Sequence, residues 1–281
     1  MSIEKIIVCG TVRNCEQYLD ACFRNIKRIT DKYADFRIII SFDISEDKSL
    51  IKLIKYKHDF GEKMDIIINR NPRSHRRTEN ISNARNLIIR NMRDKFSSGF
   101  NMNEWKYFIM IDMDDVCSHY MDYDVITRAF INSDKWDTVS FNRPGYYDLW
   151  ALSIDSFIYG CWGWHNPLEV VEIMRSHIIE KLNNTPLDDY VECRSAFNGF
   201  AIYKTAMFIN CDYDWKMPKQ YMKLEDIMEN KRVLGNRPSN SPLDKQTDEP
   251  DCEHRAFHMM ATAKNGARIR ISPEVLFHPG K

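Results

Sequence analysis

The stretch KYFIMIDMDDVCSHY, Lys106 to Tyr120, runs an unbroken apolar segment directly into three carboxylates, Asp112, Asp114 and Asp115. Its first part has the length and composition of a strand buried on both faces. Side chains alternate along an extended chain, so Asp112 and Asp114 leave it on the same side. Two carboxylates so placed repel unless a cation sits between them, and hard oxygen donors suit Mg²⁺ or Mn²⁺. An ion held there can bridge a diphosphate and stabilise it as a leaving group. A solvated acidic turn after a strand is the plainer alternative.

Upstream, short β-rich runs alternate with helix-like segments. KIIVCGTVR (5–13), FRIIISFD (36–43) and KMDIIINRN (63–71) read as strands. Between the first two, residues 16–33 carry apolar side chains at Tyr18, Leu19, Cys22, Phe23, Ile26 and Ile29, a helical stripe. A second helix is expected over 46–60 and a third over 78–96. This alternation predicts βαβ units around a mostly parallel sheet, and the continuous hydrophobicity of the strands predicts burial on both faces. Open sheets of this kind bind ligands at the carboxyl ends of their strands. Those ends carry Thr11, Val12 and Arg13, then Asp43, then Asn69 and Arg70, then Asp112 to Asp115, a polar crescent suited to a nucleotide. The absence of GxGxxG and GxxxxGK[ST] argues against a dinucleotide-binding dehydrogenase or a P-loop enzyme.

The 281 residues suffice for one substantial core, and we read one domain. Basic and acidic residues balance at 40 each, so the broad basic face of a nucleic-acid binder is not expected. The first residues fit neither a secretory signal nor an anchor, and no run approaches the roughly 20 apolar residues of a membrane span. Eight scattered cysteines without CxxC pairs suggest reduced thiols, hence a soluble, cytoplasmic chain or a fragment of a larger one. The second half is aromatic-rich and includes a Pro/Asn/Ser-rich stretch, 235–251, read as a mobile loop before a last helix and strand. The arginines of NPRSHRRT (71–78) form either a solvated face or a phosphate-facing loop.

YFIMIDMDD resembles the strand-plus-DxD signature of nucleotide-sugar glycosyltransferases with the GT-A fold. IIVCGTVRNCEQYL (6–19) resembles their first strand and nucleotide-contacting loop, IIISFDISEDKSL (38–50) their second strand, and SNARNLIIRNM (82–92) their Ala-Arg-Asn helix. YYDLWAL (146–152), SAFNGFAIYK (195–204), CEHRAFHMM (252–260) and GARIRISPEVL (266–276) resemble blocks of the fungal capsule-associated α-1,3-mannosyltransferases and their bacterial and viral relatives. The resemblance implies an α/β fold: a single GT-A type domain with a Rossmann-like, mixed but mostly parallel central sheet flanked by helices. Residues 1–116 would form the nucleotide-sugar-binding half and 117–281 the acceptor-binding and C-terminal half.

The resemblance also assigns roles. Thr11, Val12, Arg13 and Asp43 would contact the nucleoside, with Asn83, Arg85 and Asn86 near ribose and phosphate. Asp112 and Asp114 would bind Mn²⁺ or Mg²⁺ and, through it, the diphosphate. His278 fits a late metal ligand, with His254 and His258 as rivals. Gly199 would permit close backbone approach to the donor sugar. Glu253 matches the acidic motif that supplies the base of inverting enzymes, with Asp251 as neighbouring alternative; in a retaining enzyme Glu253 would orient sugar or acceptor instead. Tyr146, Tyr147, Trp150, Trp162 and Trp164 are stacking candidates or core residues, and Asp148 binds hydroxyls or caps a turn. The chain departs from the family block where Ser153 replaces an arginine and where Arg255 follows CEH.

The implied activity is transfer of a hexose from a nucleotide diphosphate sugar to a hydroxyl of a glycan or protein, with a UDP-sugar favoured and GDP-mannose the alternative. IMIDMDDV also satisfies the strand-end pattern of haloacid-dehalogenase-type phosphatases, with Asp112 as nucleophile and Asp114 as acid/base. A non-catalytic carbohydrate- or nucleotide-binding module is the third reading.

Overall fold

The computed structural model describes residues 5–71, 73–158, 168–234 and 250–279. The chain opens with β1 (Lys5–Val12), α1 (Glu16–Thr30), β2 (Asp35–Asp43), α2 (Ser49–Phe60), β3 (Met64–Asn69), α3 (Arg77–Ser97) and β4 (Tyr107–Asp112). It continues through β5 (Tyr120–Met121), α4 (Tyr123–Ile131), β6 (Thr138–Asn142), α5 (Leu168–Asn183), β7 (Val191–Cys193) and β8 (Phe200–Lys204). Last come α6 (Thr205–Phe208), α7 (Leu224–Leu234), α8 (Glu253–Asn265), β9 (Ile269–Val275) and β10 (Phe277–His278). Of the stretch read as a mobile loop, all but Pro250 and Asp251 lies outside the described residues. Among the described residues no helix is long and apolar enough to cross a membrane.

The chain forms two compact units. The first comprises Met1–Ile126, Gly199–Asn210 and Leu276–Lys281, and the second Thr127–Asn198 and Cys211–Val275. Two short stretches return to the first unit because β8 pairs with β4 and β10 pairs with β5.

The strand order of the first unit is β3-β2-β1-β4-β8. Its first four strands are mutually parallel and β8 is antiparallel to β4, the mixed, mostly parallel sheet expected from the βαβ alternation. Ile6 to Cys9, Ile38 to Ile40 and Phe108 to Met110 are fully buried, as strands covered on both faces must be. On α1, Leu19, Cys22, Phe23, Ile26 and Ile29 are buried, so the stripe read from their spacing is the packed face. The expectation of double burial fails at β3, where Ile66 and Ile67 are half-buried and Ile68 is 45% exposed. The reason is position: β3 ends the sheet order and has β2 as its one neighbour. The ring of Phe108 on β4 stacks on Tyr203 of β8 at 4.8 Å, joining the central strand to its antiparallel neighbour.

In the second unit β9 pairs with β6 in parallel and with β7 antiparallel. Helix α8 ends at Gly266, whose φ of +68° gives the left-handed cap that favours glycine. Its residues Glu253 to Met259 are all buried, charged ones included. Such a segment is stable only if each polar side chain finds an internal partner.

Gly10 in β1 is required by packing. A Cβ there would lie 2.7 Å from Met113 Cγ, and Met113 is itself buried. We expect Gly10→Ala to destabilise the chain by about 1–3 kcal/mol through overpacking. In a double-mutant cycle read by urea unfolding, Gly10→Ala combined with Met113→Ala should cost less than the sum of the single changes.

Candidate active site

The end of β4 shows the alternation read from the sequence. Ile111 and Met113 are buried at 1% exposure, Asp112 and Asp114 are half-buried, and Asp115 is exposed. Met113 fills the space over Gly10, and side-chain alternation along an extended chain would turn the two acids the other way. Asp114 Oδ1 accepts from the Val116 N–H at 3.1 Å, capping the 3-10 turn Asp115–Cys117. Arg85 of α3, buried, donates from Nη2 to Asp112 Oδ1 at 2.9 Å. The sequence placed Arg85 near ribose and phosphate. In the structure its guanidinium meets Asp112, supplying positive charge where a cation alone was expected to relieve the repulsion.

Strand register aligns the other edge residues. Thr11 lies opposite both Ser41 and Asp112, and Asp43 lies opposite Asn69. Asp43 Oδ1 accepts from Asn69 Nδ2 at 2.7 Å, and its Oδ2 accepts from Arg73 Nη1 at 3.3 Å. Arg73 thus reaches Asp43 from the 71–78 loop while remaining exposed, as Arg77 is. Asn80 stitches the same loop, accepting from the Ser74 N–H at 2.9 Å and donating to the Ser74 carbonyl at 2.8 Å. Arg13 and Arg70 are exposed and Thr11 half-buried, but the Val12 side chain is in the core at 1% exposure. Any contact by Val12 at this edge is therefore through its backbone. Asn83 and Asn86 are half-buried on α3.

Gly199, at φ +86°, comes beside the acids: its carbonyl accepts from the Asp112 N–H at 2.9 Å and from Cys117 Sγ at 3.1 Å. Two further thiols donate to backbone carbonyls here, Cys15 to Arg13 at 3.1 Å and Cys22 to Asp114 at 3.5 Å. The seven described cysteines are buried. Burial pushes the Cys15 thiol up to about 11.

His278 of β10 lies opposite Tyr120 of β5 and is half-buried. Among the described residues no three His, Cys, Asp or Glu side chains group as a cation site. The rivals of His278 are core residues of the second unit. His254 is 1% exposed, with its ring stacked on Phe197 at 3.7 Å, and His258 is fully buried with Nδ1 3.1 Å from Ser195 Oγ.

The acceptor-side candidates divide similarly. Glu253 begins α8, is 5% exposed and has Oε1 3.8 Å from His254 Nε2. Asp251, the alternative base, is fully buried; Oδ2 accepts from Arg255 Nε at 2.8 Å and Oδ1 from the Cys252 N–H at 2.7 Å. Asp251 is thus the buried counter-ion of Arg255. Ser153 is fully buried and donates from Oγ to the Ile158 carbonyl at 2.7 Å, which explains why no arginine stands there. Tyr146 is fully buried and is core, whereas Tyr147 is 55% exposed. Trp150 is half-buried, and Trp162 and Trp164 lie outside the described residues. Asp148 caps a turn, accepting from the N–H groups of Ala151 at 3.0 Å and Asn198 at 3.3 Å. Asn198, which sequence reasoning missed, is buried at φ +56° and bridges the Asp148 N–H and the Phe141 carbonyl. Its signal was the Asn-Gly pair, a dipeptide suited to left-handed backbone.

With this geometry in view, comparison with known proteins assigns the class. Residues 7–152 match the model of Glycosyl transferase family 2, and the chain belongs to that family. Among solved structures it is similar to S. aureus TarS 1–349 in complex with UDP, at 14% identity and TM-score 0.47, covering 97% of this chain and 59% of that one. It is similar to a mannosyltransferase from Pyrobaculum calidifontis in complex with GDP-Man and Mn²⁺, at 11% identity and TM-score 0.42, covering 98% and 58%. A third, glucosyl-3-phosphoglycerate synthase from Mycobacterium tuberculosis in complex with Mn²⁺, UDP and phosphoglyceric acid, gives 10% identity, TM-score 0.41, and coverage of 73% and 57%. The chain thus spans less than two thirds of each of these three. No curated protein matches it in sequence.

The raised Cys15 pKa has a measurable consequence. Its thiolate fraction at pH 8 falls about 100-fold below that of an ordinary thiol of pKa 9.0. We expect iodoacetamide at pH 8, followed by peptide mass spectrometry, to label Cys15 slowly in the native chain and rapidly once urea unfolds it.

Proposed function

We propose that the chain transfers a hexose from a nucleotide diphosphate sugar to a hydroxyl of a glycan or protein acceptor, with the help of Mn²⁺ or Mg²⁺. The observation that supports this reading is the burial pattern at the carboxyl end of β4, with Ile111 and Met113 buried and Asp112 and Asp114 half-buried, within a glycosyl transferase family 2 domain. The residues fit the ion: both are hard oxygen donors and both are half-buried. Asp112 and Asp114 would hold it, with His278 proposed as a further ligand, and when bound it would supply charge that stabilises the leaving diphosphate.

The protein's own groups do the rest. Thr11, the Val12 backbone, Arg13 and Asp43 would hold the nucleoside, and Asn83 and Asn86 would lie near ribose and phosphate. Arg85 would keep Asp112 oriented, and Gly199 would let backbone approach the sugar. In an inverting reaction Glu253 takes the acceptor hydroxyl proton as that oxygen attacks the anomeric carbon, whose bond to the diphosphate breaks with both electrons leaving on phosphate oxygen. In a retaining reaction Glu253 orients the sugar or acceptor. We carry a UDP-sugar forward as the first donor. The resemblance of blocks 146–152, 195–204, 252–260 and 266–276 to the capsule-associated mannosyltransferases makes GDP-mannose the second.

A panel of UDP- and GDP-sugars with Mn²⁺ tests the proposal by sugar-nucleotide hydrolysis. One donor should be hydrolysed in a chelator-sensitive way, and Asp112→Asn and Asp114→Asn should each lower the rate by about 100-fold or more. Binding without turnover would instead identify a non-catalytic module. A chain that neither binds nor hydrolyses any donor would defeat the proposal.

A further inference from the structure

The buried polar face of α8 contains a group that the proposed reaction has not used. Arg255 is fully buried, and its guanidinium keeps its charge at any accessible pH. Its Nε donates to Asp251 Oδ2 at 2.8 Å. Its Nη1 donates to the carbonyls of Leu152 at 3.0 Å and Ile158 at 3.1 Å, and its Nη2 to the Trp150 carbonyl at 2.6 Å. Asp251 in turn donates its backbone N–H to the Trp215 carbonyl at 2.7 Å. One side chain thus ties three carbonyls of the 150–158 segment to the residues that open α8. That segment is held a second time where the Ser153 N–H donates to the Ser195 carbonyl at 2.8 Å, and Ser195 Oγ meets His258 on the same helix.

The geometry points to Arg255 as a positioning residue for Glu253, an inference that rests on the transferase reading above. Glu253 stands midway between Asp251 and Arg255 in sequence, on the first turn of α8. Its backbone is therefore bracketed by both members of a buried ion pair, and the pair fixes where the carboxylate begins. A lysine keeps the charge but not the planar fork, so it cannot reach Asp251 and three carbonyls together. Arg255 acts through Glu253 and the 150–158 backbone and need not touch the substrate. This also accounts for the arginine that follows CEH in this chain: its charge is consumed internally.

The test compares the wild-type chain with Arg255→Lys and with the double variant Asp251→Asn/Arg255→Gln, which replaces the ion pair with neutral amides should the single variant not fold. Two quantities are measured: hydrogen exchange of peptides covering 150–158 and β4, and hydrolysis of the sugar nucleotide identified by the panel. A folded variant should exchange about 10-fold faster over 150–158 with β4 unchanged. Its kcat should fall about 10-fold or more while the donor KM stays within about two-fold, the pattern of lost positioning rather than lost binding. Unchanged exchange over 150–158, or a raised KM with unchanged kcat, overturns the inference. A wild-type chain inert toward every donor overturns the transferase reading and the positioning role with it; faster exchange in the variant then shows that the tie itself exists without serving this reaction.

Discussion

Two carboxylates on one side of a buried strand end repel each other, and much of the first unit can be understood as the means of tolerating that repulsion. Asp112 and Asp114 project together because Met113 must project oppositely, and Met113 fits because residue 10 has no side chain. Arg85, buried on α3, offsets part of the repulsion by donating to Asp112. Removing Arg85 would leave the half-buried Asp112 carboxylate without that compensation. A divalent cation would offset the remainder, so ligand binding and charge relief become the same event at this edge.

The second unit answers a similar problem without inviting a ligand. Asp251 and Arg255 are both fully inaccessible to solvent, and their charges are balanced against each other and against backbone carbonyls. A pair so buried contributes less to stability than its Coulomb energy suggests, since both groups lose their hydration. Its value lies in specifying one arrangement of the backbone around it. The contrast between the units is informative: Asp112 and Asp114 remain half-exposed, whereas Asp251 does not.

Features with local causes were legible in the sequence. The stripe on α1 and the alternation of strands and helices follow from periodicity, and both are present. Features decided by distant partners were not legible. Arg85 lies 27 positions from Asp112, and only the packing of α3 shows that their side chains meet. The exposure of Ile68 depends on β3 ending the sheet, and the return of residues 199–210 to the first unit depends on β8 choosing β4 as its partner. Histidines give little away in sequence, because the same residue type suits a metal, a ring stack or a buried hydroxyl. His254 and His258 take the latter two roles. The Asp251/Arg255 pair sits at helical spacing of four, a clue that could have been weighed, but its burial could not have been known.

The central claim is that the acids at the end of β4 hold a cation and a nucleotide together. The most direct measurement is calorimetric titration of UDP, and in parallel GDP, into the chain with Mn²⁺ and with chelator, alongside titration of Mn²⁺ with and without the nucleotide. If the claim is right, metal and nucleotide tighten each other's binding by the same factor, as linkage requires, and Asp112→Asn abolishes the effect. Nucleotide binding that is equally tight in chelator, or Mn²⁺ binding indifferent to both nucleotide and Asp112, would contradict it.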